Sequence, residues 1–295
     1  MGTTPSISAA AAGTFALGGD LVVNRLGFGA MRITGKGIWG PPNDKPAAVA
    51  TLRRAVELGV NLIDTADSYG PNVSEELIAE ALHPYPAGLV IATKAGWERP
   101  GPGQWTHNAS PAHLTKALEG SLKRLRLERI DVYQLHIPDP AASFDASMVT
   151  LARLREQGKI RHVALSNVAL EYIERARRIV PIVSVQNRYS FADREWDFVV
   201  DYCTANNIGF MPWAPMAQMR FANDALERVA IELNATPLQV GLAWLLKRAK
   251  NILPIPGTSQ AAHVEQNIAA AALKLPEHLY EELSSVIHAP AVLRG

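Results

Sequence analysis

The chain has a single cysteine, Cys203, among 295 residues. One thiol excludes an internal disulfide and a thiolate-held metal cluster, and it suits a reducing compartment, so the cytoplasm is the expected location. Excess charge is missing too: 29 Lys and Arg stand against 28 Asp and Glu, leaving a formal net charge of +1. No Lys or Arg run supplies a local field, and neither nucleic acid nor a membrane surface is an expected partner. The roughly 18 consecutive apolar residues of a membrane helix occur nowhere. Residues 1–12 (MGTTPSISAAAA) lack the basic and apolar segments of a secretion signal. None of the eight histidines stands in a metal-binding spacing with a third ligand, so no metal is expected. What remains, 48 % hydrophobic and 19 % charged residues, suits a compact chain with ample apolar surface to bury and a small molecule as partner.

Residues 1–13 read as a flexible tail rich in small residues, ahead of a single domain over 14–295. Apolar alternation around Gly-Gly-Asp in FALGGDLVVN (15–24) predicts an N-terminal β-hairpin. Eight short apolar runs follow: LGFGAM (26–31), VNLID (60–64), GLVIATK (88–94), IDVYQLH (130–136), IRHVALS (160–166), IVSVQN (182–187), IGFMPW (208–213) and NILPIP (251–256). Amphipathic segments separate them, several opened by Ser, Pro or Asp and closed by Gly or Asn. That alternation demands parallel strands with right-handed crossovers, and eight units predict an α/β fold, the (β/α)8 TIM barrel. An open doubly wound sheet fits worse. It would carry a glycine-rich phosphate turn after its first strand, where GFGAM has two glycines and a long loop, MRITGKGIWGPPND, follows.

In a parallel barrel the chemistry sits where strands end, so the informative residues are those at which an apolar run turns polar. Asp64 ends VNLID, Tyr69 follows in DTADSYG, Lys94 ends GLVIATK and His136 ends IDVYQLH. A buried Lys is costly unless paired, and Asp64 on the neighbouring strand is its natural partner. An ammonium beside a phenol is expected to pull its pKa below the ordinary ~10, making Tyr69 a proton donor with His136 orienting a carbonyl oxygen. Each residue alone has a plain structural role; their joint placement points to acid–base chemistry. A Schiff-base lyase with Lys94 as nucleophile is the alternative on the same barrel.

DTADSYG, the Lys of IATK and the LH of YQLH resemble the three central signatures of the aldo-keto reductases, over residues 14–290. The resemblance implies a tetrad of Asp64, Tyr69, Lys94 and His136 and hydride transfer from NADP(H) to an aldehyde or ketone, with NAD(H) as a weaker alternative. It implies carboxamide contacts at Ser166, Asn167 and Gln186 and an aromatic stacked on the nicotinamide at Trp213. Gly29, Ala30, Met31, Asp64, Ala214, Pro215 and Met216 are the further cofactor contacts it suggests. Gly257, Thr258, Ser259, His263, Gln266 and Asn267 fall in the segment that grips the 2′-phosphate, where a helix N-terminus favours an anion. The commonest family pattern has Lys, Arg and Glu where Gly257, His263 and Gln266 stand here. The RITGKGIWGPP loop and YPAG turn resemble bacterial members of the pyridoxal reductase type. Trp39, Trp97, Trp105 and Ile137 are expected to wall the substrate pocket, a flat pyridine stacking between the indoles. Potassium-channel β subunits share the superfamily, so a cofactor-binding regulatory subunit is a further alternative. A monomer is expected.

Overall fold

The computed structural model describes residues 7–216 and 224–286. The hairpin forms as expected, β1 (Thr14–Leu17) antiparallel to β2 (Leu21–Asn24). The barrel strands are β3 (Phe28–Gly29), β4 (Leu62–Asp64), β5 (Val90–Ala95), β8 (Ile130–Leu135), β9 (Ile160–Ser166), β10 (Ile182–Gln186) and β11 (Gly209–Phe210). They form one parallel sheet in the order β11-β10-β9-β8-β5-β4-β3. Between β5 and β8 the chain makes a small ribbon, β6 (Trp97–Glu98) with β7 (Thr106–His107), which the Gly- and Pro-rich sequence there did not suggest.

The eighth run closes the barrel without becoming a strand. Residues 251–256 make one bridge, Ile252 to Phe210, and are stitched by Leu253 N–H to Phe210 O at 2.8 Å and Gly27 N–H to Pro254 O at 2.9 Å. Pro254 and Pro256 have no N–H to return, so a regular two-sided ladder cannot form.

Helices wrap the sheet: α1 (Lys45–Glu57), α2 (Val73–Leu82), α3 (Pro111–Leu125), α4 (Phe144–Glu156), α5 (Leu170–Arg177), α6 (Asp197–Ala205), α7 (Asp224–Glu232), α8 (Pro237–Arg248), α9 (Ala261–Ala269) and α10 (Glu277–Ser285). Their starts follow from local chemistry. Asp44, Ser110 and Ser143 cap α1, α3 and α4, and Thr236 with Gln239 forms a full capping box on α8. α10 went unread in the sequence because its apolar signal is only Leu279 and Leu283. It is held by Trp244 Nε1 donating to Ser284 Oγ at 2.9 Å and by Arg194 donating to the carbonyls of Leu283 and Ser284.

Two apolar layers result. Leu17, Leu21 and Val23 of the hairpin pack with Leu62, Val90, Val132, Ala164, Met211 and Leu253 inside the barrel, plugging the mouth where strands begin. The larger layer fills the space between strands and helices. The expected tail is shorter than its sequence suggested: Ala9–Ala12 form a helical turn, Ala9 is fully buried, and its N–H donates to Leu58 O at 2.8 Å. The first six residues lie outside the described ones. Among the described residues no single helix is long and apolar enough to cross a membrane.

Candidate active site

The four residues at the strand ends converge. Asp64 closes β4 and Lys94 lies on the adjacent β5, and Lys94 Nζ donates to Asp64 Oδ2 at 2.7 Å and to Thr65 O at 2.8 Å. Tyr69 returns over the same rim, its hydroxyl 3.4 Å from Lys94 Nζ. The phenol ring meets the imidazole of His136 edge-on, centroids 5.9 Å apart. Lys94 is fully buried, an expensive position for an ammonium that the ion pair offsets. The loop bearing Tyr69 is anchored by α2, whose buried Glu75 pairs with Arg124 at 2.7 Å and accepts from Thr93 at 2.6 Å.

Burial sets the protonation states. It disfavours the Lys94 ammonium, but Asp64 and then Tyr69 outweigh it and hold Lys94 above its usual range. For Tyr69 the expectation of a lowered pKa is corrected. Burial pushes the phenol up more strongly than Lys94 pulls it down, and Asp64 adds to the rise. Tyr69 therefore carries its proton through neutral pH. Burial, and then the Lys94 charge, hold His136 well below the imidazole range, so it is neutral. Its Nδ1 is buried without a hydrogen-bond partner among the described residues.

Beside this group opens a cavity of about 670 Å³, lined by Gly29, Met31, Arg32, Asp64, Tyr69, Gln186, Trp213, Ala214, Pro215, Met216, Leu238, Ile255 and Gly257. Most of the expected cofactor contacts lie on it, together with Arg32, Leu238 and Ile255, which sequence reasoning did not single out for it. Ala30, Ser166 and Asn167 are not among the residues that line it. Asn167, at φ 55°, donates to His136 O and Ser166 Oγ, both at 3.0 Å, and accepts from Trp213 Nε1 at 2.9 Å. Its side chain thus ties the indole to the end of β8, beside His136. Gln186 Nε2 donates to Asp64 Oδ1 at 2.8 Å, and Gln134 Nε2 reaches the same oxygen at 2.9 Å.

At the start of α9, Thr258 Oγ1 accepts from Gln260 N–H at 3.2 Å and stands 3.3 Å from His263 Nδ1. Ser259 and His263 are exposed, Asn267 is buried, and Gln266 meets Gln239 through its backbone carbonyl. The donor set fits an elongated anionic cofactor: an indole and a buried amide at one end of the cavity, Arg32 beside Gly257, then hydroxyls, His263 and uncapped helical N–H groups.

The expected indole cage is occupied from within. The Arg99 guanidinium lies 3.7 Å over Trp105 and 5.4 Å over Trp39, donating to Ile38 O and Ser68 O at 3.0 Å and to Gln104 O at 2.9 Å. Trp39 and Trp105 therefore pin loops, and no flat ring sits between them. Trp97 stacks on His107 at 4.3 Å and presents its edge to His136 at 6.4 Å, so it alone of the three indoles faces the chemistry. Ile137, half-buried, follows His136 at the same rim.

A parallel barrel with a buried carboxylate, ammonium, phenol and imidazole at the ends of neighbouring strands is the architecture of a carbonyl-reducing enzyme. The chain belongs to the aldo/keto reductase family, whose model matches residues 25–288. It is 43 % identical over 280 residues to pyridoxine 4-dehydrogenase of Escherichia coli, covering 92 % of this chain and 98 % of that one. It is 44 % identical over 280 residues to an uncharacterised oxidoreductase of Schizosaccharomyces pombe, covering 94 % and 91 % of the two chains. Among solved structures, a thermostable aldo-keto reductase in complex with the inhibitor epalrestat superposes with a TM-score of 0.79 at 28 % identity, over 90 % of this chain and 95 % of that one.

Proposed function

We propose that the chain reduces aldehydes and ketones with NADPH, Tyr69 giving the proton, and that pyridoxal is among its substrates. The observation that carries this reading is the buried contact of Lys94 with both Asp64 and the Tyr69 hydroxyl at the edge of the cavity. Trp213, Gln186 and the backbone around Gly29 and Ala214 would hold the nicotinamide end of NADPH in that cavity, and Thr258, Ser259 and His263 its phosphate end; the cofactor would supply the hydride for the carbonyl carbon. The chain's own groups do the rest. Neutral His136 orients the carbonyl oxygen, Tyr69 delivers a proton to that oxygen, and Lys94 steadies the charge left on the phenol while Asp64 keeps Lys94 protonated. The paired ammonium argues against a Schiff-base role, since the lone pair that would attack a carbonyl is tied up in a proton.

Pyridoxal is supported by the likeness to pyridoxine 4-dehydrogenase and by Trp97 standing beside His136, where a flat ring can meet the indole edge-to-face. The free, buried Cys203 supports a cytoplasmic location, and we propose a monomer. NADPH oxidation followed by absorbance with a panel of aldehydes, pyridoxal included, tests the reading. Turnover of pyridoxal within about tenfold of an aromatic control in kcat/KM is the expected result. No turnover of any aldehyde would overturn it, and would favour a cofactor-binding regulatory subunit.

A further inference from the structure

We propose that Gln134 is a positioning residue for the proton donor. It sits one residue from the C-terminal end of β8, fully buried, with the same alternation as Val132 and His136, so it faces the barrel interior. Its Nε2 donates to Asp64 Oδ1 at 2.9 Å, while Gln186 donates to the same oxygen at 2.8 Å and stands 3.4 Å from Gln134 Oε1. The two amides bracket one oxygen of the carboxylate. The other, Oδ2, is left for Lys94.

The division matters because a carboxylate turns freely about its last bond unless both oxygens are engaged. With Oδ1 held by two neutral donors, Oδ2 has one orientation available, and Lys94 Nζ is drawn to a single place 3.4 Å from the Tyr69 hydroxyl. Gln186 lines the cofactor cavity and shares its amide with that task; Gln134 does not line it, so its hold on Asp64 is independent of what fills the cavity. Gln134 touches neither substrate nor cofactor and acts only through Asp64. The titratable groups that act on that carboxylate are Lys94 from β5 and Tyr69 from the loop after β4; Asp67 in the same loop acts on both of them, and His136 at the end of β8 feels Lys94.

The inference rests on the reductase reading, which wild-type turnover assayed alongside tests separately. Gln134→Leu removes the donor and should lower kcat about tenfold at every pH, with NADPH affinity by fluorescence titration unchanged within about twofold. Gln134→Glu sets two carboxyl groups on one contact, where one must keep its proton. Near pH 6 that proton restores the hydrogen bond, so this variant should approach wild-type kcat and then fall away as pH rises toward about 9. A purely structural role would lower both variants by the same factor at every pH. If leucine prevents folding, Gln134→Met keeps the length of the side chain and carries the comparison. Wild-type kcat in the apolar variant, or a pH-independent ratio of Gln134→Glu to wild type, would overturn the proposal.

Discussion

Gly29 and Gly257 meet backbone to backbone at the wall of the cavity beside Tyr69: a Cβ added at Gly257 would stand 2.5 Å from the carbonyl oxygen of Gly29. Gly29 is equally constrained, its added Cβ falling 2.6 Å from Ile255 O. The glycine that replaces the family's usual lysine is therefore a steric requirement of this barrel closure. Installing the cation, Gly257→Lys, should weaken NADPH binding and lower the Tm. Even Gly257→Ala should cost about 1–3 kcal/mol as the two segments are forced apart. Thermal melts and cofactor titration check this; tighter NADPH binding at an unchanged Tm would contradict it.

Tyr69→Phe should lose about 10²–10⁴-fold in kcat while NADPH affinity stays nearly constant, because the hydroxyl is asked only for a proton. Activity within threefold of wild type, roughly 0.6 kcal/mol of barrel-site chemistry, would remove Tyr69 from its role.

Lys94 works against the burial that raises the Tyr69 phenol. Lys94→Met should therefore push the phenol higher still. In the oxidative direction, where the phenolate accepts the proton, the residual rate should climb only at more alkaline pH than in wild type. An unshifted alkaline limb at measurable turnover would count against the coupling.

Neutral His136 sets an acid dependence. Its folded-state pKa lies well below the value of an unfolded imidazole, so the stability it contributes is complete above the unfolded pKa of about 6.5 and is lost as pH falls toward the folded one. Melts of wild type against His136→Gln between pH 7 and 5 should converge as pH drops. An imidazole-like acid limb near pH 6.5 in kcat/KM would show the ring charged in the free enzyme, contrary to this account.

Pyridoxal should be turned over better than its 5′-phosphate. Arg99, the guanidinium adjoining the Trp97 ribbon, spends Nε and Nη1 on the carbonyls of Gln104, Ile38 and Ser68, and only its buried Nη2 is left without a partner among the described residues. A desolvated dianion there would meet only that one buried donor, and its largely uncompensated burial is costly. Comparable kcat/KM for the two aldehydes would reveal a phosphate site.

Much of this was legible in the sequence because parallel strands are apolar on both faces and end abruptly: the runs closing in Asp64, Lys94 and His136 announce both the barrel and its chemistry. The closing run was readable as an element but not as a strand-breaking one, since Pro254 and Pro256 act on hydrogen bonding, not on hydropathy. Gln134 hid inside IDVYQLH, where a polar residue looks like noise until its alternation with His136 is matched to Asp64 across the barrel. The competition between burial and Lys94 at Tyr69 was out of reach, because local sequence names the neighbours of a phenol and not how much water they exclude. Arg99 inserted between Trp39 and Trp105 depends on three loops from different βα units, whose mutual approach no single segment encodes.

The proline-bearing closure also has a life in time. A wall stitched by isolated bonds instead of a ladder is the natural place for the barrel to part along its length, and the cavity proposed for the cofactor straddles that line, with Gly29 and Met31 on one bank and Ile255 and Gly257 on the other. A nucleotide lying across both banks would act as a clasp. Amide hydrogen exchange should then find the N–H groups of Gly27, Gly29 and Leu253 among the faster-exchanging of the barrel without cofactor, and slowed more by NADPH than those of β8 and β9.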